Sequence, residues 1–309
     1  MYDTVNFWID RVNIPNGKPF EVLPYLSEIT ERQNANGYSC TGKVLDYTAN
    51  VNEGGISLKG SLCKSFFGDN IYTLKRQATQ QAIEKLNDHL HIDISEAKVT
   101  RIDIATNIPT KRPPADYYSY LGQKTHFERL QSAIDTLYYN NHQRQIIFYD
   151  KGKEARVKNM NIPQLLQNNN LFRYEFRILK RINSQLKTEV TAQTLYNETF
   201  YRSIVQRWYN EFKTIQKLKE QSFMIDGIKT PKEAQAALFS FLLQQQEAGQ
   251  NLVTNFINEL KANNTFSDRK YYARLKADLN KILVAKNGNK SDLIKELETY
   301  IFDTAKYAR

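Results

Sequence analysis

The chain has 309 residues, 41% of them hydrophobic and 25% charged, with only 12 Gly and 8 Pro, which excludes wholesale disorder and leaves room for one large domain or two smaller ones. A net charge of +10 points to a polyanionic partner, and 19 Tyr and 16 Phe beside 43 Lys and Arg suit single-stranded nucleic acid, whose bases stack while its phosphates pair. No apolar run approaches a membrane span, no signal-peptide pattern opens the chain, and Cys40 and Cys63 lack metal-ligand spacing, so a cytoplasmic setting is expected.

Residues 4–12 alternate as an opening strand, which the Pro15 and Pro19 region breaks. Residues 26–32 read as a short helix. Residues 38–63 read as a meander of strands, with a hairpin turn at Asn52-Glu53-Gly54-Gly55. An amphipathic helix is expected over 73–90, where Leu74, Ala78, Ala82, Ile83 and Leu86 recur near helical spacing.

The next stretch, Thr100-Arg101-Ile102-Asp103-Ile104-Ala105-Thr106-Asn107, has the period of a half-buried strand. Ile102 and Ile104 take one face, and Arg101, Asp103 and Ala105 the other. A carboxylate projecting from mid-sheet needs a partner, either a basic side chain such as Arg101 or a metal ion. Residues 115–120 and 127–136 read as a helical or irregular excursion. The segment 144–154 reads as a strand running into a charged turn that contains Lys151, Lys153 and Glu154. A short helix is expected over 162–167. In Leu171-Phe172-Arg173-Tyr174-Glu175-Phe176-Arg177-Ile178, the residues Arg173, Glu175 and Arg177 share one strand face. Three strands decorated in this way suggest a divalent-metal site on a sheet.

After Lys180 the pattern turns helical. A stripe runs through Phe200, Ile204, Trp208, Phe212 and Ile215, and Thr230-Pro231 marks a helix start after a boundary at 226–231. Four helices follow, over 232–247, 252–262, 267–284 and 291–305, the last capped by Ser291. The fold class expected is α+β, an antiparallel sheet with flanking helices followed by an all-α region. The domains are residues 1–225 and a helical accessory domain, 226–309. His89-Leu90-His91 would place two imidazoles side by side on a strand, but at the expected helix end the rings diverge. His126 and His142 are isolated.

The order of the Asp103 strand, Phe148-Tyr149-Asp150-Lys151-Gly152-Lys153-Glu154 and Arg173-Tyr174-Glu175-Phe176-Arg177 resembles phage and plasmid replication initiators, the gene II/X-type proteins and the related Rep_trans rolling-circle initiators. Met1-Tyr2-Asp3-Thr4-Val5 and Gly60-Ser61-Leu62-Cys63-Lys64 share in the resemblance, which covers residues 1–215. It implies an HUH-like endonuclease sheet holding one divalent metal, Mg²⁺ or Mn²⁺, through acidic ligands in place of a histidine pair. By that analogy Asp103 and Glu175 match the metal positions, with the third ligand open among Glu154, Asp150 and a histidine.

The chemistry implied is attack of a tyrosine on a DNA phosphodiester, giving a 5′-phosphotyrosine and a free 3′-hydroxyl. Tyr201 and Tyr196 are the expected nucleophiles, Tyr201 preferred, with Tyr209 third; on one helix the first two lie about 140° apart. Lys151 is expected to assist as a cation, and Arg101, Arg173, Arg177 and Lys153 to contact DNA. Without a Gly-x-x-x-x-Gly-Lys-Ser/Thr motif, the chain is expected to rely on a host helicase and polymerase. Its helical tail is a candidate for recruiting the helicase, reading duplex DNA or forming a homodimer. A non-cleaving origin- or hairpin-binding protein, and a relaxase or transposase with the same chemistry, are the alternatives.

Overall fold

The computed structural model describes residues 1–309 except 35–36, 133–134, 161, 167–168, 219–229, 246–248, 285–290 and 309. Its first unit comprises Met1–Lys217 and Leu293–Arg309, its second Leu218–Asp292. In the first, ten strands form one antiparallel sheet: β1 (Tyr2–Asp10), β2 (Ser27–Asn34), β3 (Gly37–Val44), β4 (Tyr47–Asn52), β5 (Gly55–Gly60), β6 (Lys98–Thr110), β7 (Glu128–Ser132), β8 (Thr136–Asn140), β9 (Arg144–Asp150) and β10 (Asn170–Ile178). Their spatial order is β2-β3-β4-β5-β1-β6-β10-β9-β8-β7. The three strands singled out for their polar faces, β6, β10 and β9, are thus adjacent, with Arg177 opposite Asp103 and Tyr149 opposite Arg173.

Within Met1–Lys217 the described helices are α1 (Leu62–Phe67), α2 (Arg76–Leu90), α3 (Ala115–Tyr118), α4 (Lys151–Val157), α5 (Ile182–Leu186) and α6 (Glu198–Lys213). Strand alternation sends Tyr174, Phe176, Ile102, Ile104, Ile146 and Phe148 to one face, where α6 covers them. Tyr174 stacks on Trp208 at 4.7 Å and donates its hydroxyl hydrogen to the Trp208 carbonyl at 2.7 Å. The α6 start is fixed by Asn197, whose Oδ1 accepts from the Phe200 amide at 3.1 Å. At the β4–β5 hairpin, a Cβ on Gly55 would fall 2.1 Å from the Ile9 carbonyl oxygen, and its φ of +151° is one that side-chain-bearing residues rarely adopt.

The second unit contains α7 (Pro231–Gln245), α8 (Gly249–Ala262) and α9 (Arg269–Val284). Thr230 and Glu233 cap α7 reciprocally, each side chain accepting from the other's amide at 3.2 and 3.0 Å. Val253, Ile257, Tyr272 and Leu279 form this unit's own small core.

Four local expectations change. Residues 26–32 are strand, not helix: the segment has no apolar stripe, and pairing of β2 with β3 decides its conformation. The excursion at 127–136 is the β7–β8 hairpin, where the buried Tyr139 hydroxyl donates to the Leu121 and Gly122 carbonyls. The charged turn after β9 is α4, capped by Asp150 through the Lys153 amide at 2.8 Å. The last helix, α10 (Asp292–Tyr307), belongs to the sheet unit and not to a helical tail domain. Its stripe of Ile294, Leu297 and Ile301 is buried in the main core, and Glu296 accepts from the Tyr117 hydroxyl at 2.8 Å. Residues 226–229 of the expected boundary, and residue 167 of the short helix otherwise seen as a 3-10 turn at Gln164–Leu166, lie outside the described residues. Among the described residues no helix is long and apolar enough to cross a membrane.

Candidate nucleic-acid site on the polar face of the sheet

The face opposite α6 carries Asp103 from β6, Arg173, Glu175 and Arg177 from β10, and Gln145 and Tyr149 from β9. Asp103 is completely buried, and its two oxygens accept from Arg101 Nε at 2.8 Å and the Arg101 terminal nitrogen at 2.6 Å. Glu175 accepts from Arg177 Nε at 2.7 Å and Arg173 Nε at 3.3 Å. Arg177 also approaches Asp103 at 3.5 Å. All four carboxylate oxygens therefore face guanidinium groups.

Three further residues, none of them expected from sequence, complete the cluster. Asp3 pairs with the Arg173 terminal nitrogen and accepts from Ser61 and Asn70. It reaches this face because β1 carries an extra residue between its pairings Tyr2–Ile104 and Val5–Ile102. That bulge reverses side-chain parity, turning Tyr2 inward and Asp3 toward Arg173. The sequence signal was an aspartate on the same parity as Val5, Phe7 and Ile9. Asn70 accepts from Lys151 Nζ at 2.6 Å, and its carbonyl accepts from Arg173 at 3.1 Å. Asn107 accepts from Arg173 at 3.0 Å.

Lys151, expected as an assisting cation in a charged turn, is fully buried and donates to Asn70 and to Glu154 at 2.8 Å. Its ammonium is destabilised first by burial and then by Arg173, so its pKa falls below the usual lysine value. Glu154, despite burial, is held down to about 2 by Lys151 and Lys158. Burial is the main influence on Asp103; with Glu175 it outweighs the arginines and pushes the carboxyl up to about 7.

The raised value has a consequence for stability. Between about pH 4 and 7 the folded protein holds a proton on Asp103 that the unfolded chain has released. The Asp103 contribution is therefore present below about pH 4 and is lost as pH rises through 7. Urea unfolding across that window should show a steeper loss of stability in the parent chain than in Asp103→Asn. Parallel profiles would contradict the assignment.

The expected nucleophiles lie elsewhere. Tyr201 is buried on the helix-covered face, edge-on to Tyr2 at 5.7 Å, and among the described residues its hydroxyl finds no hydrogen-bond partner of good geometry. Tyr196 is half-buried at the end of a 3-10 turn, beside Asp93, Glu84 and Glu96. Tyr209 packs on Phe302 of α10 at 6.0 Å. The structure does not bring any of these together with Asp103 and Glu175, because α6 lies across the opposite side of the sheet. The tyrosine that does belong to the cluster is Tyr149, whose ring lies 5.9 Å from the Arg173 guanidinium. Burial raises its pKa above the usual phenol range; Arg173 opposes this, while Glu175, Glu154 and Asp3 add to it. Tyr149 lies next to Lys151 in the segment Phe148-Tyr149-Asp150-Lys151 that carries part of the family resemblance, but strand alternation alone does not say which face matters.

Among the expected DNA contacts, Arg101, Arg173 and Arg177 lie on this face, and Lys153 projects from α4, paired with Asp135. Arg101 and Arg177 keep 29% and 27% of their side chains exposed, whereas Arg173 keeps 2%, so the first two have room to turn toward a phosphate.

The oxygen-only donors Asp103 and Glu175 suit a hard cation such as Mg²⁺ or Mn²⁺. As they stand they do not fit one, since each oxygen is turned to a guanidinium. Among the described residues no three His, Cys, Asp or Glu side chains group as a metal site. Of the third-ligand candidates, Asp150 caps α4 and Glu154 bridges Lys151 and Lys158. His89 Nδ1 lies 2.8 Å from the Lys85 carbonyl, and His91 packs against Tyr25 at 4.2 Å.

No curated protein matches the sequence. The solved structure of a rolling circle replication initiator protein from Geobacillus stearothermophilus is similar at a TM-score of 0.39 and 12% identity, over 75% of this chain and 89% of that one. The Phage_CRI family model, which describes the N-terminal part of a replication-associated protein, matches residues 1–209, a span that takes in all ten strands and α6 as far as Tyr209. With two thirds of its length in that match, including every residue of the polar cluster, the chain belongs to the Phage_CRI family of replication-associated proteins.

Proposed function

We propose that the chain initiates rolling-circle replication by cutting one strand of origin DNA, with Tyr149 as the attacking group. The supporting observation is the position of Tyr149, paired with Arg173 on the neighbouring strand β10 and close enough to Arg173 and Arg177 to interact electrostatically with both. In the reaction the phenol oxygen bonds to phosphorus and the bond from phosphorus to the 3′ oxygen breaks. The phenol gives up a proton and the departing 3′ oxygen takes one, leaving a 5′-phosphotyrosine and a 3′-hydroxyl. Arg101 and Arg177 would turn from their carboxylates to the phosphate oxygens, while Arg173 and Lys151 stay fixed as buried positive charge. A host helicase and polymerase would then extend the free 3′ end.

A divalent cation, Mg²⁺ or Mn²⁺, enters this reading only if those arginines leave Asp103 and Glu175. Arg177→Gln should accordingly bind Mn²⁺ more tightly than the parent chain without DNA, read as loss of the free-ion electron paramagnetic resonance signal. Equal affinity would mean that the guanidinium does not compete for the site.

The experiment for the function is incubation with single-stranded or supercoiled DNA carrying the chain's own origin, with Mn²⁺ or with EDTA, followed by denaturing electrophoresis. A nick with DNA covalently attached to protein supports the reading. A shifted complex without a nick under every condition would leave an origin-binding protein, the alternative favoured by carboxylates wholly engaged with arginine.

A further inference from the structure

Beside Tyr149 lies a cleft of about 500 Å³, floored by β8 and β9 and walled by α4. Tyr138 sits opposite Ile147, and Thr136 opposite Tyr149, so the floor presents two phenol rings flanking an aliphatic side chain. The α4 wall contributes Val157, an apolar side chain left 75% exposed. Arg177 and Lys153 stand at the margin. The acidic groups around the cleft are already engaged: Asp135 with Lys153, Glu154 with Lys151 and Lys158, and Asp150 with the start of α4. What remains open is an aromatic and aliphatic recess whose two lining cations, Arg177 and Lys153, are themselves paired with Glu175 and Asp135 and would exchange those partners for phosphate. The volume is in the range of small-ligand sites, and the surface chemistry is that of a base-stacking platform with phosphate contacts at its edge.

We infer that this cleft receives one nucleobase of single-stranded DNA, stacked against Tyr138, from a nucleotide next to the phosphate held at Tyr149. This rests on the DNA-handling reading above and adds the subsite that holds a base. Stacking of this kind tolerates any base, so the cleft fixes the strand's path and leaves sequence choice to hydrogen-bonding groups such as Gln145, whose side chain already bonds Arg177 at 3.0 Å and Asn140 at 2.7 Å.

The test compares binding of the full chain to a thirty-residue oligothymidylate and to an abasic sugar–phosphate strand of the same length, by fluorescence anisotropy at fixed salt. The parent chain should prefer the base-bearing strand. Tyr138→Ala should reduce that preference by roughly 5- to 100-fold, the scale of losing one base–aromatic stack, with abasic binding unchanged. Tyr138→Phe, which keeps the ring, should restore the preference. Photo-crosslinking with 5-iodouracil in the oligonucleotide should label the peptide containing Tyr138. Equal loss on both strands, an unchanged preference, or crosslinks that map only outside β8, β9 and α4 would each overturn the assignment. Tyr149→Phe separates the two readings, because it keeps the cleft ring while removing the attacking oxygen. Base preference without any nick in the parent chain would sink the cleavage reading and leave the cleft. A Tyr149-dependent nick without base preference would do the reverse.

Discussion

Tyr149→Phe should abolish the covalent protein–DNA adduct, lowering nicking on the order of 10⁴-fold or more, as expected when a covalent nucleophile is lost. The substitution removes one oxygen and keeps the ring that faces Arg173 at 5.9 Å, so DNA binding should be nearly unchanged. Tyr201→Phe is the matched control. Its hydroxyl is buried without a well-formed partner among the described residues, so removing it should change unfolding free energy by no more than about 1 kcal/mol and leave the adduct intact. Mapping of the DNA-linked peptide reads the outcome directly. An adduct on the peptide holding Tyr201 or Tyr196 would show that α6 and the turn before it leave the covered face when DNA binds, and would remove Tyr149 from the mechanism.

Arg173→Gln should destabilise the fold by roughly 3–5 kcal/mol, the cost of leaving buried charges without their partner. The Arg173 guanidinium contacts Asp3, Glu175, the Asn70 carbonyl and the Asn107 side chain from a position only 2% exposed. Burial alone would weaken its charge, but Asp3, Tyr149 and Glu175 more than offset this and raise its pKa. Removing it strands Asp3 in particular, which Ser61 and Asn70 support but do not neutralise. Pairing Arg173→Gln with Asp3→Asn should recover part of the loss, and urea unfolding of the two single variants and the double variant measures that coupling. A single-variant loss below about 1 kcal/mol would mean that solvent reaches the cluster and screens it. Arg101→Gln, at an exposed end of the same network, should cost far less stability.

The two predictions probe different properties of one arrangement. Arg173 is fixed by burial and contributes to folding, whereas Arg101 and Arg177 are partly exposed and free to exchange a carboxylate for a phosphate. A site whose arginines are already turned to carboxyl groups in the free protein can accept a polyanion only by rearranging some of those pairs. The exposed arginines are where that exchange costs least.

The period-two patterns of the Asp103 and Glu175 strands determined which side chains share a face, because strand geometry alternates whatever the strand's neighbours are. The helical stripe from Phe200 to Phe212 likewise determined which side of α6 would be buried. Cap chemistry placed the starts at Thr230 and Pro231. These features are local, and the sequence carries them. Four others needed the assembled sheet. Pairing made residues 26–32 a strand. The β7–β8 hairpin closed over a buried tyrosine rather than forming a helix. A one-residue bulge in β1 brought Asp3 to Arg173, and the packing of α10 against the main core moved it out of the expected tail domain. The choice of tyrosine is the clearest case. Sequence order placed Tyr196 and Tyr201 after the glutamate strand, as a following helix would require, but it could not say which side of the sheet that helix covers. The apolar residues of β10 draw α6 to their own face, which leaves the carboxylates, the arginines and Tyr149 together on the other.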